Sequence, residues 1–369
     1  MKLKIICIVG TRPNFIKIAP IMQEMARYKN IAPILVHTGQ HYDYEMSKVF
    51  FQELSIPKPD YELGVGPGSQ IRQNARTMES LELVVQKERP DLIIVVGDVN
   101  STLAGALVAA RLRIPLAHVE AGLRSFNLEM QEEVNRLLTD HVSEYLFTTE
   151  PSATKNLLKE GIPRKKIFFV GNVMIDSLLK NRNKFLKIKK YKKFNLQKRN
   201  YIVLTLHRQE NVDNKQILGE ILDSLVLIQE KIKIIWPVHP RTKKQLKKFK
   251  FSNRINDMKN LMPIAPLGYL EMISLMSDAR LVLTDSGGIQ EETTFLGVPC
   301  LTVREETERP ITVELGTNKI AGLEKTQIVK ESINILQGHS KKGKIPRYWD
   351  GNAAKRILKI LNRHEPRKK

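Results

Sequence analysis

With 369 residues, 42% hydrophobic and 27% charged, the chain has room for two domains at ~100–200 residues each, and its composition excludes a disordered, collagen-like or coiled-coil protein. No apolar run reaches the ~18–20 residues of a membrane span. The net charge of +21 invites an anionic partner, but only 6% of residues are aromatic and no zinc-ligand spacing or RNA-recognition signature occurs, so solvated surface lysines are expected and no specific nucleic acid.

The first apolar stretch, 5–9, stops at Gly10 ahead of Arg12 and Pro13, too short for a signal peptide, and reads as a buried strand. It carries Cys7; the other cysteine, Cys300, also lies in an apolar run. Two isolated thiols make neither a disulfide framework nor a metal site, and with the missing leader they point to a reducing cytosol. Further strands are expected at 33–38, 92–97, 116–119, 145–148 and 167–170, with helices at 16–28, 70–86, 101–112 and 132–141. Residues 180–200 then carry ten lysines or arginines and no acid, which reads as a hinge or a surface segment just after one. Beyond them the pattern restarts: strands at 201–206, 232–238, 281–284 and 299–303, helices at 215–230 and 289–296, and a last amphipathic helix at 352–362. Nearly continuous apolar strands alternating with helices predict the α/β class, with doubly wound parallel sheets. The restart predicts two such domains, 1–175 and 176–351, with the final helix (about 352–363) packing back on the first.

Ligands of open α/β sheets bind beyond the carboxyl ends of the strands, so the loops after each strand hold the candidate residues. Gly10-Thr11-Arg12-Pro13-Asn14-Phe15-Ile16-Lys17 is a strand-to-helix turn with cations Arg12 and Lys17 near a helix N-terminus. It lacks the dinucleotide glycine fingerprint, so no nicotinamide cofactor is implied. Asp98 and Glu120 each end a buried strand; Asp98 also reads as a helix cap. Glu132 and Arg136 are four apart and share a helical face. Three carboxylates in one pocket would shift one another's pKa values and suit acid/base work. In the second half, His207 and His239 follow strands, and Asp285-Ser286-Gly287-Gly288 opens a helix, a geometry that lets backbone N–H groups approach a diphosphate. Glu292 one turn later can accept from ribose hydroxyls, and Arg309 is a candidate phosphate clamp. No metal-ligand cluster is visible.

GTRPNFIKIAP, HTGQH, GDVNST, HVEAGLRS, EEVNR, LHRQENVD, HPRT, TDSGGIQEE and TERP occur in this order, from residue 5 to about 322. Together they resemble the non-hydrolysing UDP-N-acetylglucosamine 2-epimerases. The resemblance implies a GT-B-like architecture, two Rossmann-like domains facing across a cleft. It also implies reversible inversion at C2 of UDP-GlcNAc to give UDP-ManNAc, by anti elimination of UDP to 2-acetamidoglucal and re-addition, with no cofactor. It assigns Asp98, Glu120, Glu132 and His207 to catalysis. Arg12, Lys17, Arg136, Ser286, Gly287, Gly288, Glu292 and Arg309 are assigned to substrate, with Leu267 and Met272 where the family packs uracil. Gln40, His41, Gln70 and Gln73 lie where some members bind a second UDP-GlcNAc as activator. A cytoplasmic homodimer serving polysaccharide biosynthesis is the family expectation.

The chain departs from the family pattern at Gln131, commonly Pro; Val99, commonly Thr; and Met272, often Phe. None of these removes a titratable group. Other readings stay open: a 2-epimerase for a modified UDP-sugar such as UDP-2,3-diacetamido-2,3-dideoxy-glucuronate, and a GT-B glycosyltransferase at the membrane.

Overall fold

A computed structural model describes residues 2–39 and 44–364, with only the backbone of 44–48. It divides into two compact units: Met1–Lys180 with Arg347–Lys369, and Asn181–Pro346. The expected divisions, 175/176 and 351/352, thus stand at 180/181 and 346/347. Helix Val173–Lys180 lies wholly in the first unit, against helix Arg12–Met25.

The first unit is a parallel sheet of seven strands: β1 (Leu3–Val9), β2 (Ile31–His37), β3 (Tyr61–Glu62), β4 (Leu92–Val96), β5 (Leu116–Val119), β6 (Tyr145–Thr148) and β7 (Ile167–Phe169). Their order is β3-β2-β1-β4-β5-β6-β7. The register sets Cys7 opposite Leu35 on one side and Ile94 on the other. All five residues of β4 are buried, because helices cover both faces. On one face the aliphatics of β1 and β4 pack with Leu81, Val84 and Val85 of helix Gln70–Glu88 and with Ala106, Val108 and Ala109 of helix Asn100–Arg111. Helix Arg12–Met25 packs against both Val173–Lys180 and the last helix, Ala353–Leu361. Asp176 accepts from the backbone N–H groups of Ala353 (3.2 Å) and Ala354 (2.8 Å), satisfying donors that a helix start leaves open. Ile357, Leu358 and Leu361 are fully buried, at about 1.5–3 kcal/mol each, so the C-terminal helix is an integral layer of this unit.

The second unit is a parallel sheet of six strands: β8 (Ile202–Thr205), β9 (Ile234–Pro237), β10 (Leu261–Ile264), β11 (Leu281–Thr284), β12 (Cys300–Thr302) and β13 (Asn318–Ile320). Their order is β10-β9-β8-β11-β12-β13. Trp236, Leu204 and Leu283 form its core with Leu218, Ile221 and Leu225 of helix Lys215–Gln229 and Ile328 and Ile335 of helix Lys325–Leu336. Stretch 180–200, expected to be a hinge or a surface segment just after one, begins at the boundary between the units and is mostly exposed, and it is also structured. Helix Arg182–Ile188 buries Phe185 against helix Tyr269–Ser277, and the buried Lys190 pairs with Glu271.

In each sheet the order reverses once, at β1/β4 and at β8/β11. At such switch points of open α/β sheets the loops beyond the strand ends diverge, and ligands bind in the crevice between them. Both cysteines are buried, which pushes each thiol up to about 12 and makes it a small apolar side chain. No helix among the described residues is long and apolar enough to cross a membrane.

Candidate functional site

In the first unit the polar residues gather at the β1/β4 switch and at the neighbouring end of β5. The turn after β1 is fastened by Asn14, whose Oδ1 accepts from the N–H groups of Gly10 (3.1 Å) and Thr11 (3.2 Å). Its Nδ2 donates to the Val96 carbonyl at 2.8 Å, which ties this turn to the end of β4. Arg12 is half-buried over the Phe50 ring, 4.4 Å from its centroid. Lys17 turns inward: its ammonium is 2.7 Å from Oε2 of Glu120. Gly97 makes room for it, since a Cβ there would stand 2.8 Å from Lys17 Nζ. Glu120 holds a φ of +77°, a left-handed conformation costly for a residue with a Cβ and typical of over-determined sites.

Asp98 does not cap the helix that follows; Val99 occupies the cap position. Its carboxylate instead accepts from Arg136 Nη1 at 2.5 Å, and its carbonyl from Asn135 Nδ2 at 2.8 Å. The i,i+4 partnership of Arg136 with Glu132 gives way to an i,i+3 one with Glu133 (Nη2 to Oε2, 2.6 Å). Glu133 is buried and also accepts from the N–H groups of Ser125 (2.9 Å) and Phe126 (3.0 Å). Burial alone would raise the Glu133 carboxyl, but Arg136 and these backbone donors hold it below the usual range. Glu132, left half-buried on the first turn of helix Gln131–Val142, is on the same short helical segment. Gln73 of helix Gln70–Glu88 accepts from Asn100 (2.9 Å) and donates to the Gly66 carbonyl (3.2 Å), while Gln70 opens that helix after its Ser69 cap. Gln40 and His41 lie outside the described residues.

In the second unit the loops after β8, β11 and β12 meet on two buried carboxylates. Oδ2 of Asp285 accepts from the backbone N–H groups of His207 and Arg208, both at 2.9 Å, and its Oδ1 takes His207 Nδ1 at 3.0 Å. Burial opposes ionisation of Asp285, but the His207 ring and these backbone donors hold its carboxyl below the usual range. His207 is thereby oriented yet 39% exposed, and its ring centroid is 5.6 Å from that of His239. Glu308 binds three arginines: Arg208 (2.9 Å), Arg304 (2.7 Å) and Arg309 (2.5 Å). Arg309 also reaches Glu291 at 3.1 Å and lies over Gly287, where a Cβ would meet its Nη1 at 2.4 Å.

Ser286 stands at the cap of helix Gly287–Leu296, with Gly287 and Gly288 in its first turn. Glu292, deeper in that helix, is pushed up to about 8, first by burial and then by the adjacent Glu291. The buried Tyr269 hydroxyl faces it, and Leu267 and Met272 flank Tyr269 as half-buried side chains at the start of helix Tyr269–Ser277. Among the described residues no group of three or more His, Cys, Asp or Glu side chains could hold a metal ion.

A family model described as UDP-N-acetylglucosamine 2-epimerase matches residues 23–362. The chain belongs to this family. Its members are isomerases, and the curated UDP-N-acetylglucosamine 2-epimerase of Methanocaldococcus jannaschii is 45% identical over 367 residues, 98% of this chain and 99% of that protein. The crystal structure of a Methanocaldococcus jannaschii UDP-GlcNAc 2-epimerase in complex with UDP-GlcNAc and UDP matches at a TM-score of 0.92 and 45% identity, covering 97% of this chain and 99% of that one. A UDP-2,3-diacetamido-2,3-dideoxy-D-glucuronate 2-epimerase of Pseudomonas aeruginosa is 42% identical over 97% of this chain and 99% of that protein.

Within this epimerase fold, Asp98, Arg136 and Asn135 are in direct contact, as are Glu120 and Lys17. In the second unit Gly287 and Arg309 are neighbours, and Tyr269 links the Leu267–Met272 segment to Glu292. Lys17, which the resemblance assigns to substrate, is 4% exposed and pairs with Glu120. Three anchoring carboxylates escaped the sequence reading: Glu133, Asp285 and Glu308. Asp285 and Glu308 had signals, the first at the end of an apolar strand and the second beside Arg309. Glu133 had none that set it apart from Glu132.

Proposed function

We propose that this enzyme reversibly epimerises C2 of UDP-GlcNAc to give UDP-ManNAc. A base takes the C2 proton as the C1–O bond to UDP breaks, which gives 2-acetamidoglucal and UDP. UDP then adds back at C1 while a proton is delivered to the other face of C2. The balance needs no redox partner, since hydrogen leaves and returns as a proton and the leaving group is the returning nucleophile.

The observation that carries this reading is the pair Asp98 and Glu120, at the ends of adjacent strands and each gripped by a buried cation, Arg136 and Lys17. Fixed carboxylates are what proton transfer at an unactivated carbon requires. Asp98, Glu120 and Glu132 are the acid/base groups in this reading, and His207 steadies charge on the departing UDP. The cationic cluster Arg208, Arg304 and Arg309 and the N-terminus of helix Gly287–Leu296 suit a diphosphate. Glu292 takes the ribose hydroxyls, with uracil against Leu267 and Met272; Arg12 contributes to the phosphates. The protein acts as a cytoplasmic homodimer, and UDP-GlcNAc at Gln70 and Gln73 activates it, which sigmoidal kinetics would report.

The Pseudomonas aeruginosa relative supports a second reading, in which the substrate is UDP-2,3-diacetamido-2,3-dideoxy-glucuronate. NMR of each sugar nucleotide incubated with the purified protein separates them. Conversion of UDP-GlcNAc to a mixture with UDP-ManNAc supports the first reading; conversion of the diacetamido sugar alone supports the second.

A further inference from the structure

His118 lies in β5, fully buried, two residues before Glu120. Its two ring nitrogens both face acceptors: Nδ1 donates to Oδ1 of Asp140 at 2.6 Å and Nε2 to the Gly97 carbonyl at 2.8 Å. The Gly97 carbonyl can only accept, so Nε2 carries the proton between them, and the ring bridges a carboxylate and a peptide oxygen. Asp140 is also fully buried, on helix Gln131–Val142. Its Oδ2 accepts from the Gly122 N–H (3.0 Å) and from Arg124 Nη2 (2.7 Å), and Arg124 ends the chain in a two-bond fork to Glu160 (2.8 and 2.7 Å). Burial pushes the Asp140 carboxyl up, but His118 and Arg124 outweigh it and hold it below the usual range.

This network touches the backbone at Gly97, at Gly122 and, through Arg124, at the Leu123 carbonyl (2.8 Å). Gly97 immediately precedes Asp98, and Gly122 lies two residues after Glu120. Asp140 is on the helix that bears Glu132 and Arg136. Both glycines have left-handed backbones, φ +71° and +80°, so neither loop would hold its course by local preference alone.

We propose that His118 is a positioning residue for the epimerisation: its Nε2–H holds the Gly97 carbonyl, and so fixes the Asp98 loop, to Asp140 on the helix that carries Glu132 and Arg136. The proposal rests on the acid/base roles given above to Asp98 and Glu132. Gly97 N–H also donates to the Val119 carbonyl (3.0 Å) and Asn135 to the Asp98 carbonyl (2.8 Å), so the His118 bond acts with these to set where the Asp98 carboxylate meets Arg136. A displacement near 1 Å at a reacting group costs on the order of 10²-fold in rate.

Two substitutions separate the two ends of the ring. An Asn amide nitrogen overlays Nδ1, so His118→Asn keeps the donation to Asp140 and loses Gly97. A Gln amide nitrogen overlays Nε2, so His118→Gln keeps Gly97 and loses the donation to Asp140. Crystal structures and steady-state kinetics of both variants form the test. In the Asn variant we expect the Asp98–Arg136 contact to open and kcat to fall on the order of 10²-fold with KM little changed. In the Gln variant we expect the contact kept and most of kcat retained, although its melting temperature falls further, because the buried Asp140 has lost its His118 partner. An Asn variant with intact Asp98–Arg136 geometry and wild-type kcat overturns the proposal, and so does a loss of kcat that follows melting temperature across both variants. The crystallographic comparison needs no turnover, so a wild type that epimerises no UDP-sugar counts against the functional reading alone.

Discussion

The ammonium of Lys17 stands 2.7 Å from the Glu120 carboxylate, with the two side chains 4% and 1% exposed. Removing one member of a buried ion pair leaves the other uncompensated, at about 3–5 kcal/mol. Lys17→Met should therefore lower stability by about that much in denaturant titration and abolish turnover. Adding Glu120→Gln should return most of the stability and none of the activity. The rise in melting temperature given by UDP should survive in Lys17→Met; its loss would return Lys17 to the diphosphate.

Glu292 gives a pH dependence with a definite sign. Its carboxyl is raised from 4.5 to about 8 in the folded chain. Between those values the folded state binds the extra proton, so the group's contribution is fully present below pH 4.5 and is lost as pH rises through about 8. The melting temperature of wild type relative to Glu292→Gln should fall from pH 5 to about pH 8 and level off above it. A difference that is flat across that range would mean that Glu292 ionises normally.

How far the sequence carries can be judged element by element. Strands such as β4 and β11 were legible because both faces are covered, so every residue is buried and all but Thr284 are apolar. Three strands were missed, β3, β10 and β13, and each is short and at a sheet edge. β3 has two residues, β10 contains Pro263, tolerated at an edge, and β13 carries a lysine in its middle. At the candidate site, strand-end position was enough to place Asp98, Glu120 and Ser286 just beyond their strands. Side-chain direction was not: the long arms of Lys17 and Arg136 reach partners that spacing along the chain cannot name. The sequence singled out Glu292 one turn into its helix, but not its raised carboxyl, because that depends on depth of burial.

Gly287 is kept side-chain-free by Arg309 and Glu308, which a Cβ would meet at 2.4 and 2.7 Å. Both groups belong to one ion-pair cluster, so they cannot move singly. Gly287→Ala should displace the Arg309 guanidinium and remove most of the thermal protection given by UDP, with an unchanged far-ultraviolet circular dichroism spectrum. Full protection by UDP would place the diphosphate elsewhere.

Asp285→Asn tests the orientation of His207. An amide can still accept from one backbone N–H, but it no longer offers the His207 ring a carboxylate oxygen. Turnover should fall by about 10²-fold or more, the range for a disturbed acid/base or charge-stabilising group. UDP binding should weaken far less. Equal losses in UDP binding and turnover would make Asp285 a structural residue of the nucleotide site.

The central claim is that C2 loses its proton to the protein and regains one from a group that exchanges with water. The most direct measurement is NMR of the sugar nucleotide recovered after incubation in D₂O. The account predicts deuterium at C2 of the product, and a fall in its rate of appearance of about 10²-fold or more in each of Asp98→Asn, Glu120→Gln and Glu132→Gln. Product that forms at the wild-type rate with protium retained at C2 would contradict it.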